Sequence, residues 1–310
     1  MKKSIFGIIM GTASLFLLSA CGNQETENKT SNDSLDIVTT FYPMYEFTKE
    51  VVGEEGDVQL LIPAGTEPHD FEPSAKQMAE IADADAFVYN SSDMETFIDN
   101  LEDSVDSDQT LMIEAAKGIT RIESSEEEED AEEGHTHTYD PHVWLDPVLA
   151  SQEVQTIAES LSEKYPDKKD IFMENATAYQ EKLATLDKKY QDELANAKNR
   201  TFVTQHAAFG YLAKQYGLTQ EAIVGISPDQ EPSPSRMAEL KEFVDKNQTK
   251  VIYFEENASS KVAETLSSET GVELEVLNPL ESLTEKQIDA GETYISVMEE
   301  NLKALKKTIQ

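Results

Sequence analysis

An α/β fold of two lobes, each a parallel sheet flanked by helices, is predicted for this 310-residue chain by three features. Short apolar runs alternate with amphipathic stretches, the same grammar returns in the second half, and a segment free of Gly and Pro separates the two halves. In the first lobe, taken as residues 35–165, Asp36 to Thr40, Val58 to Ile62 and Ala86 to Asn90 read as buried strands separated by helical patterns. Runs this short and this apolar suit parallel strands covered on both faces. After Pro166, roughly 30 residues carry apolar side chains at Tyr179, Leu183, Leu186, Tyr190 and Leu194, a helical stripe without a breaker. These roughly 30 residues, within the linking segment 166–199, therefore read as one unbroken helix of about 45 Å, rigid enough to join the lobes with little hinge freedom. The second lobe, 200–310, offers Thr201 to Thr204, Ala222 to Ile226, Val251 to Phe254 and Glu273 to Leu277 as its strands.

Ahead of the first lobe, Lys2 and Lys3 precede an uncharged stretch from Ile5 to Leu18, too short to span a bilayer and suited to the core of an export signal over residues 1–20. It ends in Leu18-Ser19-Ala20-Cys21, which resembles a bacterial lipobox, where the cysteine thiol receives a lipid. Residues 21–34 then read as the lipidated Cys21 and a polar tether. The expected location is extracytoplasmic, on the bacterial cell membrane.

Charge and cysteine usage narrow the function. Cys21 is the only cysteine, so the body of the protein has neither a disulfide nor thiolate ligands, and any metal site must use His, Asp or Glu. A formal charge of −36 makes nucleic acid an unsuitable partner, while cations are attracted. No Gly-Lys-Ser/Thr phosphate loop is present, and no His-Glu-x-x-His helix of a zinc hydrolase, so the chain reads as a non-enzyme.

The five histidines carry the remaining chemistry. His69 sits in a loop stiffened by Pro63, Gly65, Pro68 and Pro73. His142 lies in Asp140-Pro141-His142-Val143-Trp144-Leu145-Asp146-Pro147, and His206 ends the Thr201 to Gln205 run. All three fall just beyond a predicted strand or in the loop leading from it, the end of an open α/β sheet where ligands bind. His135 and His137 belong to a different setting, residues 123–139, where seven acidic residues from Glu126 to Glu133 precede them. Such a block cannot bury itself and reads as a mobile loop, with His135 and His137 offering weak accessory metal capture. Asp146 before Pro147 reads as a helix cap, and Phe41, Tyr42, Trp144, Phe209 and Tyr211 as core.

Taken together, Gly65 to Pro73, Pro141 to Pro147, His206-Ala207-Ala208-Phe209-Gly210-Tyr211 and Leu277-Asn278-Pro279-Leu280-Glu281 resemble, in order, the motifs of the zinc- and manganese-binding receptors of ABC importers, often described as adhesin lipoproteins. The resemblance spans about residues 35–310. It implies a metal site in the cleft between the lobes, with His69, His142, His206 and Glu281 as ligands. It also implies partnership with a permease and a separate ATPase subunit, and action as a monomer. Three imidazoles point to Zn2+ rather than manganese, which prefers more oxygen ligands. Glu255 or Glu256, which follow another strand, or a water, are the alternatives to Glu281 as the fourth ligand. Manganese binding, or surface adhesion with a structural metal, are the alternative functions.

Overall fold

The first apolar run becomes β1 (Leu35–Thr39), whose Ile37, Val38 and Thr39 are enclosed on both sides. The computed structural model describes residues 34–102, 105–124 and 138–309, and over these β1 is followed by α1 (Tyr42–Val52), β2 (Gly56–Leu60), α2 (Ala75–Asp83), β3 (Ala86–Tyr89), α3 (Ile98–Glu102) and β4 (Leu111–Glu114). The expected export signal, Cys21, His135 and His137 lie outside the described residues. The strands form a parallel sheet in the order β2-β1-β3-β4. β4 was not among the predicted strands, because its apolar run is only Leu111-Met112-Ile113 and it is half-buried at the sheet edge.

A short antiparallel ladder, β5 (Ile122–Glu123) with β6 (Tyr139–Asp140), comes next. Ser124 N–H also donates to the Thr138 carbonyl at 3.0 Å, so both ends of the segment expected to be mobile, 123–139, are paired backbone instead. The charge block that suggested mobility begins only beyond these four residues.

α4 (Pro147–Lys164) starts at Asp146, whose carboxylate accepts the Val148 N–H at 2.8 Å as the expected cap. A single 3-10 turn, Pro166–Lys168, then leads into α5 (Lys169–Leu194). The linking helix is thus 26 residues, about 39 Å, and is shorter than the 166–199 segment predicted. Just past its end, the guanidinium of Arg200 turns back onto the carbonyls of Ala195, Tyr216 and Gly217, at 3.1 to 3.4 Å.

The second sheet contains β7 (Thr201–Thr204), then α6 (Gly210–Tyr216), β8 (Thr219–Ala222), α7 (Pro234–Asn247), β9 (Val251–Phe254), α8 (Lys261–Thr270) and β10 (Glu273–Val276), with α9 (Glu285–Ala290) and α10 (Tyr294–Ile309) closing the chain. Its order is β10-β9-β7-β8, also parallel, so both sheets place their first strand between their second and third. β8 precedes the predicted Ala222 to Ile226 run. The apolar residues there, Ile223 and Val224, instead continue past the strand, bonding Thr204 and Gln205 carbonyls at 2.9 Å as the chain enters the core.

One apolar core runs from the first sheet along α5 into the second lobe, and a smaller one around Val203, Leu240, Ile252 and Leu266 lies on the second sheet alone. α5 buries Phe172, Ala176, Tyr179, Leu183, Leu186, Tyr190 and Leu194 as a single stripe against α1, α4 and α10. Its polar tips tie the same elements: Tyr179 donates to Glu46 of α1 at 2.9 Å, and Tyr190 to the Met298 carbonyl of α10 at 2.6 Å. Among the described residues no helix is long and apolar enough to cross a membrane.

Candidate metal centre

Four loops, each beyond the carboxyl end of a strand, deliver one side chain apiece to a common point. His69 comes from the stiff loop after β2, where its N–H donates to Glu67 Oε1 at 2.9 Å. Gly65 at the head of that loop donates its N–H to Ser282 Oγ at 2.6 Å, fastening it to the segment after β10. His142 follows β6 directly. Its N–H and its Nδ1–H both donate to one oxygen of Asp140, at 2.9 and 2.8 Å, which turns Nε2 toward the cluster.

His206 follows β7, and its Nδ1 bonds the carboxylate of Glu255, which stands at the end of the neighbouring β9. Its backbone carbonyl accepts from Thr204 Oγ1 at 2.7 Å and from Gln220 at 2.9 Å. Glu281 is reached through Leu280, which adopts φ +60°, an uncommon conformation for leucine that costs on the order of 1 kcal/mol. Asn278 holds that turn by accepting the Leu280 N–H at 2.7 Å, and Asn301 of α10 holds Asn278 through its backbone N–H and carbonyl, at 2.9 and 2.7 Å.

The four donor atoms lie within 4.8 Å of one another, and all four residues are buried. Glu281 Oε1 stands 3.1 Å from His142 Nε2, 3.1 Å from His206 Nε2 and 3.5 Å from His69 Nε2. The Nε2 atoms of His142 and His69 are 3.3 Å apart, and those of His142 and His206 3.4 Å. Bonds of about 2.0–2.1 Å to a central cation make a tetrahedron with edges of roughly 3.3 Å. Five of the six donor spacings, 3.1 to 3.5 Å, match that edge, so the cluster approaches the geometry of a four-coordinate site.

Electrostatics point the same way. Burial holds the His69 imidazole down to about 4, so it is neutral and ready to ligate. Burial opposes charge on His206 also, but the carboxylates of Glu255 and Glu281 overcome it and raise that imidazole well above its ordinary value. His142 is raised in the same manner, burial being outweighed by its bonds to Asp140 and Glu281. Glu281 is itself held well below the ordinary carboxylate range, the charge on His206 and the surrounding imidazoles outweighing burial. Glu67, at the mouth, is pushed up to about 9 by burial and by Glu281.

All four residues singled out in the sequence are thus brought together. Glu255 is placed behind His206 rather than among the four, and Glu256 lines only the mouth, with Glu67 and Asn257. Asp140 supports His142 in a way that the sequence motif alone does not assign. Its spacing, two residues before His142 with a proline between, is the signal of a carboxylate that can reach forward to its neighbour's backbone. Trp144 is core as expected, with its indole N–H on the Pro279 carbonyl at 2.8 Å and its ring 4.8 Å from that of Phe41.

The family model described as zinc-uptake complex component A, periplasmic, matches residues 37–308. The zinc-binding lipoprotein AdcA of Streptococcus pneumoniae is 56% identical over 99% of this chain, which spans 61% of that longer relative. The high-affinity zinc uptake system protein ZnuA of Bacillus subtilis is 49% identical, covering 100% of this chain and 99% of its own length. Among solved structures, the Zn(II)-bound ZnuA-like domain of Streptococcus pneumoniae AdcA superposes with a TM-score of 0.78 at 55% identity, over 89% of this chain and 99% of that domain.

Proposed function

The chain belongs to the zinc-uptake complex component A family, and from that premise we propose that it is an extracytoplasmic receptor that binds one zinc ion through His69, His142, His206 and Glu281 and delivers it to an ABC permease with a separate ATPase subunit. The observation that carries this reading is the near-tetrahedral clustering of three Nε2 atoms and one carboxylate oxygen in a buried cleft. Three imidazoles with a single carboxylate favour zinc over manganese. With the protein filling all four positions, none is left for a substrate water, which suits a carrier and not a hydrolase. Lipid on Cys21 is the proposed anchor, and residues 35–165 and 200–310, joined through 166–199, the proposed lobes.

Capture would proceed as a proton-for-metal exchange. His206 holds a proton between Glu255 and Glu281, and zinc entering at Glu281 displaces it from Nε2 while Nδ1 stays bonded to Glu255. Asp140 and Glu255 stand behind two of the ligands, each bonded to an Nδ1, and hold those rings in place. Release requires a state in which the loops bearing His206 and Glu281 move away from His69 and His142, since only a state of lower affinity can let the cargo go.

Competitive zinc titration of a form beginning after Cys21 tests this. One equivalent should bind tightly, His206→Ala should abolish tight binding, and Glu281→Ala should weaken it at least tenfold. Absence of tight zinc binding by the unaltered chain, or no effect of His206→Ala, would overturn the ligand assignment.

A further inference from the structure

Five residues after His206 in the same chain segment, Tyr211 reaches from α6 to the β5–β6 ladder. Its hydroxyl accepts the N–H of Ile122 at 3.0 Å and donates to the carbonyl of Asp140 at 3.0 Å. Ile122 and Asp140 are register partners in that ladder, so the phenol bridges the donor and acceptor of a single rung. The ring is 3% exposed and packs with Ile119 and Val143, which fixes the direction of the hydroxyl. Beside it, Gly210 comes so close to Asp140 that a Cβ there would lie 2.5 Å from Oδ2. The other oxygen of the same carboxylate is the one that holds His142 by N–H and Nδ1. Asp140 is therefore gripped by its backbone from Tyr211 and by its side chain between Gly210 and His142.

We propose that Tyr211 is a positioning residue for metal capture: from the segment that carries His206, its hydroxyl holds Asp140 in place, and Asp140 in turn aims the Nε2 of His142 at the ion. The two imidazoles are coupled by this contact. Movement of α6 away from the ladder withdraws the hydroxyl, and His142 loses the support of its carboxylate at the same time as it loses His206 as a neighbour. One contact thereby links separation of the ligand loops to weakening of a ligand that remains behind. The positioning role concerns the cluster proposed above as the zinc site and rests on that reading for its effect on affinity.

Two measurements on Tyr211→Phe test it, one of which needs no metal. In the metal-free protein, the Nδ1 proton of His142, followed by NMR, should exchange with solvent several-fold faster than in the unaltered chain. In zinc titration and stopped-flow release, affinity should fall about 3- to 10-fold, mainly through faster dissociation, because supports behind a ligand are worth 10- to 100-fold when removed outright. The loss should shrink to less than about 2-fold in an Asp140→Asn background, where there is no carboxylate left to position. Tyr216→Phe, which removes a hydroxyl bond to Asp187 from the same helix, should leave both measurements unchanged. Unaltered proton exchange and affinity in Tyr211→Phe, or an equal loss with and without Asp140→Asn, would overturn the proposal. Faster exchange without any zinc binding by the unaltered chain would instead retain the positioning role and remove the metal reading.

Discussion

In the first lobe His142 takes its supporting carboxylate from Asp140, two residues earlier, whereas in the second lobe His206 takes it from Glu255, 49 residues away at the end of a neighbouring strand. The chemistry is the same, a carboxylate on Nδ1 that leaves Nε2 facing the cluster. The assembly differs. The Asp140 contact is a local turn that also binds the His142 backbone, so it forms wherever that segment is extended and bent. The Glu255 contact exists only when β7 and β9 pair with Val203 opposite Ile252 and Thr204 opposite Tyr253. The carboxylate behind His142 thus comes from its own segment, and the one behind His206 through the register of a sheet.

That contrast can be broken by experiment. The largest effect should come from Glu255→Ala, which strips His206 of its only carboxylate on Nδ1 and is expected to cost about 100-fold in zinc affinity, against about 10-fold for Asp140→Ala, whose imidazole is also packed near Trp144. Competitive titration with a chromogenic chelator reads both, and a greater loss at Asp140 would invert the comparison.

Proton exchange sharpens it. Because Glu255 and Glu281 raise His206 well above the ordinary imidazole value, zinc must displace a proton there at neutral pH, and affinity should drop about tenfold for each pH unit of acidification while that proton is bound. His69, held near 4, should contribute no proton above about pH 5. Calorimetry at pH 7 in buffers of differing ionisation enthalpy should report proton release, and Glu255→Gln should reduce it. Release unchanged by Glu255→Gln would mean that the proton sits elsewhere.

Two smaller effects concern stability. Asn301→Ala leaves the N–H and carbonyl of Asn278 unpaired and buried, at a cost of about 2 kcal/mol by chemical denaturation, and should loosen Glu281 as well. Glu153 provides the counter-example to both supporting carboxylates. It is fully buried in α4, its oxygens have no hydrogen-bond partner among the described residues, and burial, with Glu95 nearby, raises it well above the ordinary range. The unfolded chain ionises this group above about pH 4.5 while the folded chain keeps it neutral, so stability is lost as pH rises through that window. Glu153→Leu should raise the Tm by a few degrees at pH 7 and flatten that pH dependence. A lower Tm would show that the acid is satisfied in a way its surroundings do not reveal.

Much of the fold was legible because burial leaves a periodic trace. β3, β7, β9 and β10 lie within apolar runs read directly from the chain, β1 and β2 overlap theirs with starts one and two residues earlier, and the stripe from Tyr179 to Leu194 is the face α5 buries. β4 and the β5–β6 ladder were not legible: one is a half-buried edge of four residues, the others are two residues each, too short for any period. At the candidate centre, the four side chains that cluster were legible through the motif resemblance, and the contacts made by Glu255 and Tyr211 were not. Glu255 resembles any acid after a strand, and Tyr211 any aromatic on a helix, until the partner across the fold is known.

The sequence by itself determined the kinds of element, the absence of thiolate from the donor set, the positions of three imidazoles beyond strand ends, and the local turn that joins Asp140 to His142. Only the tertiary structure decided that Glu281 meets His142 across 139 residues and His206 across 75, that Glu255 stands behind and not among the four, and that Tyr211 closes a rung of the opposite ladder. The physical reason is range. Periodicity and turn chemistry act over a few residues and are written in order along the chain, whereas donor spacings of 3.1 to 3.5 Å depend on which strands pair and in what register, and those are set by packing the whole core at once.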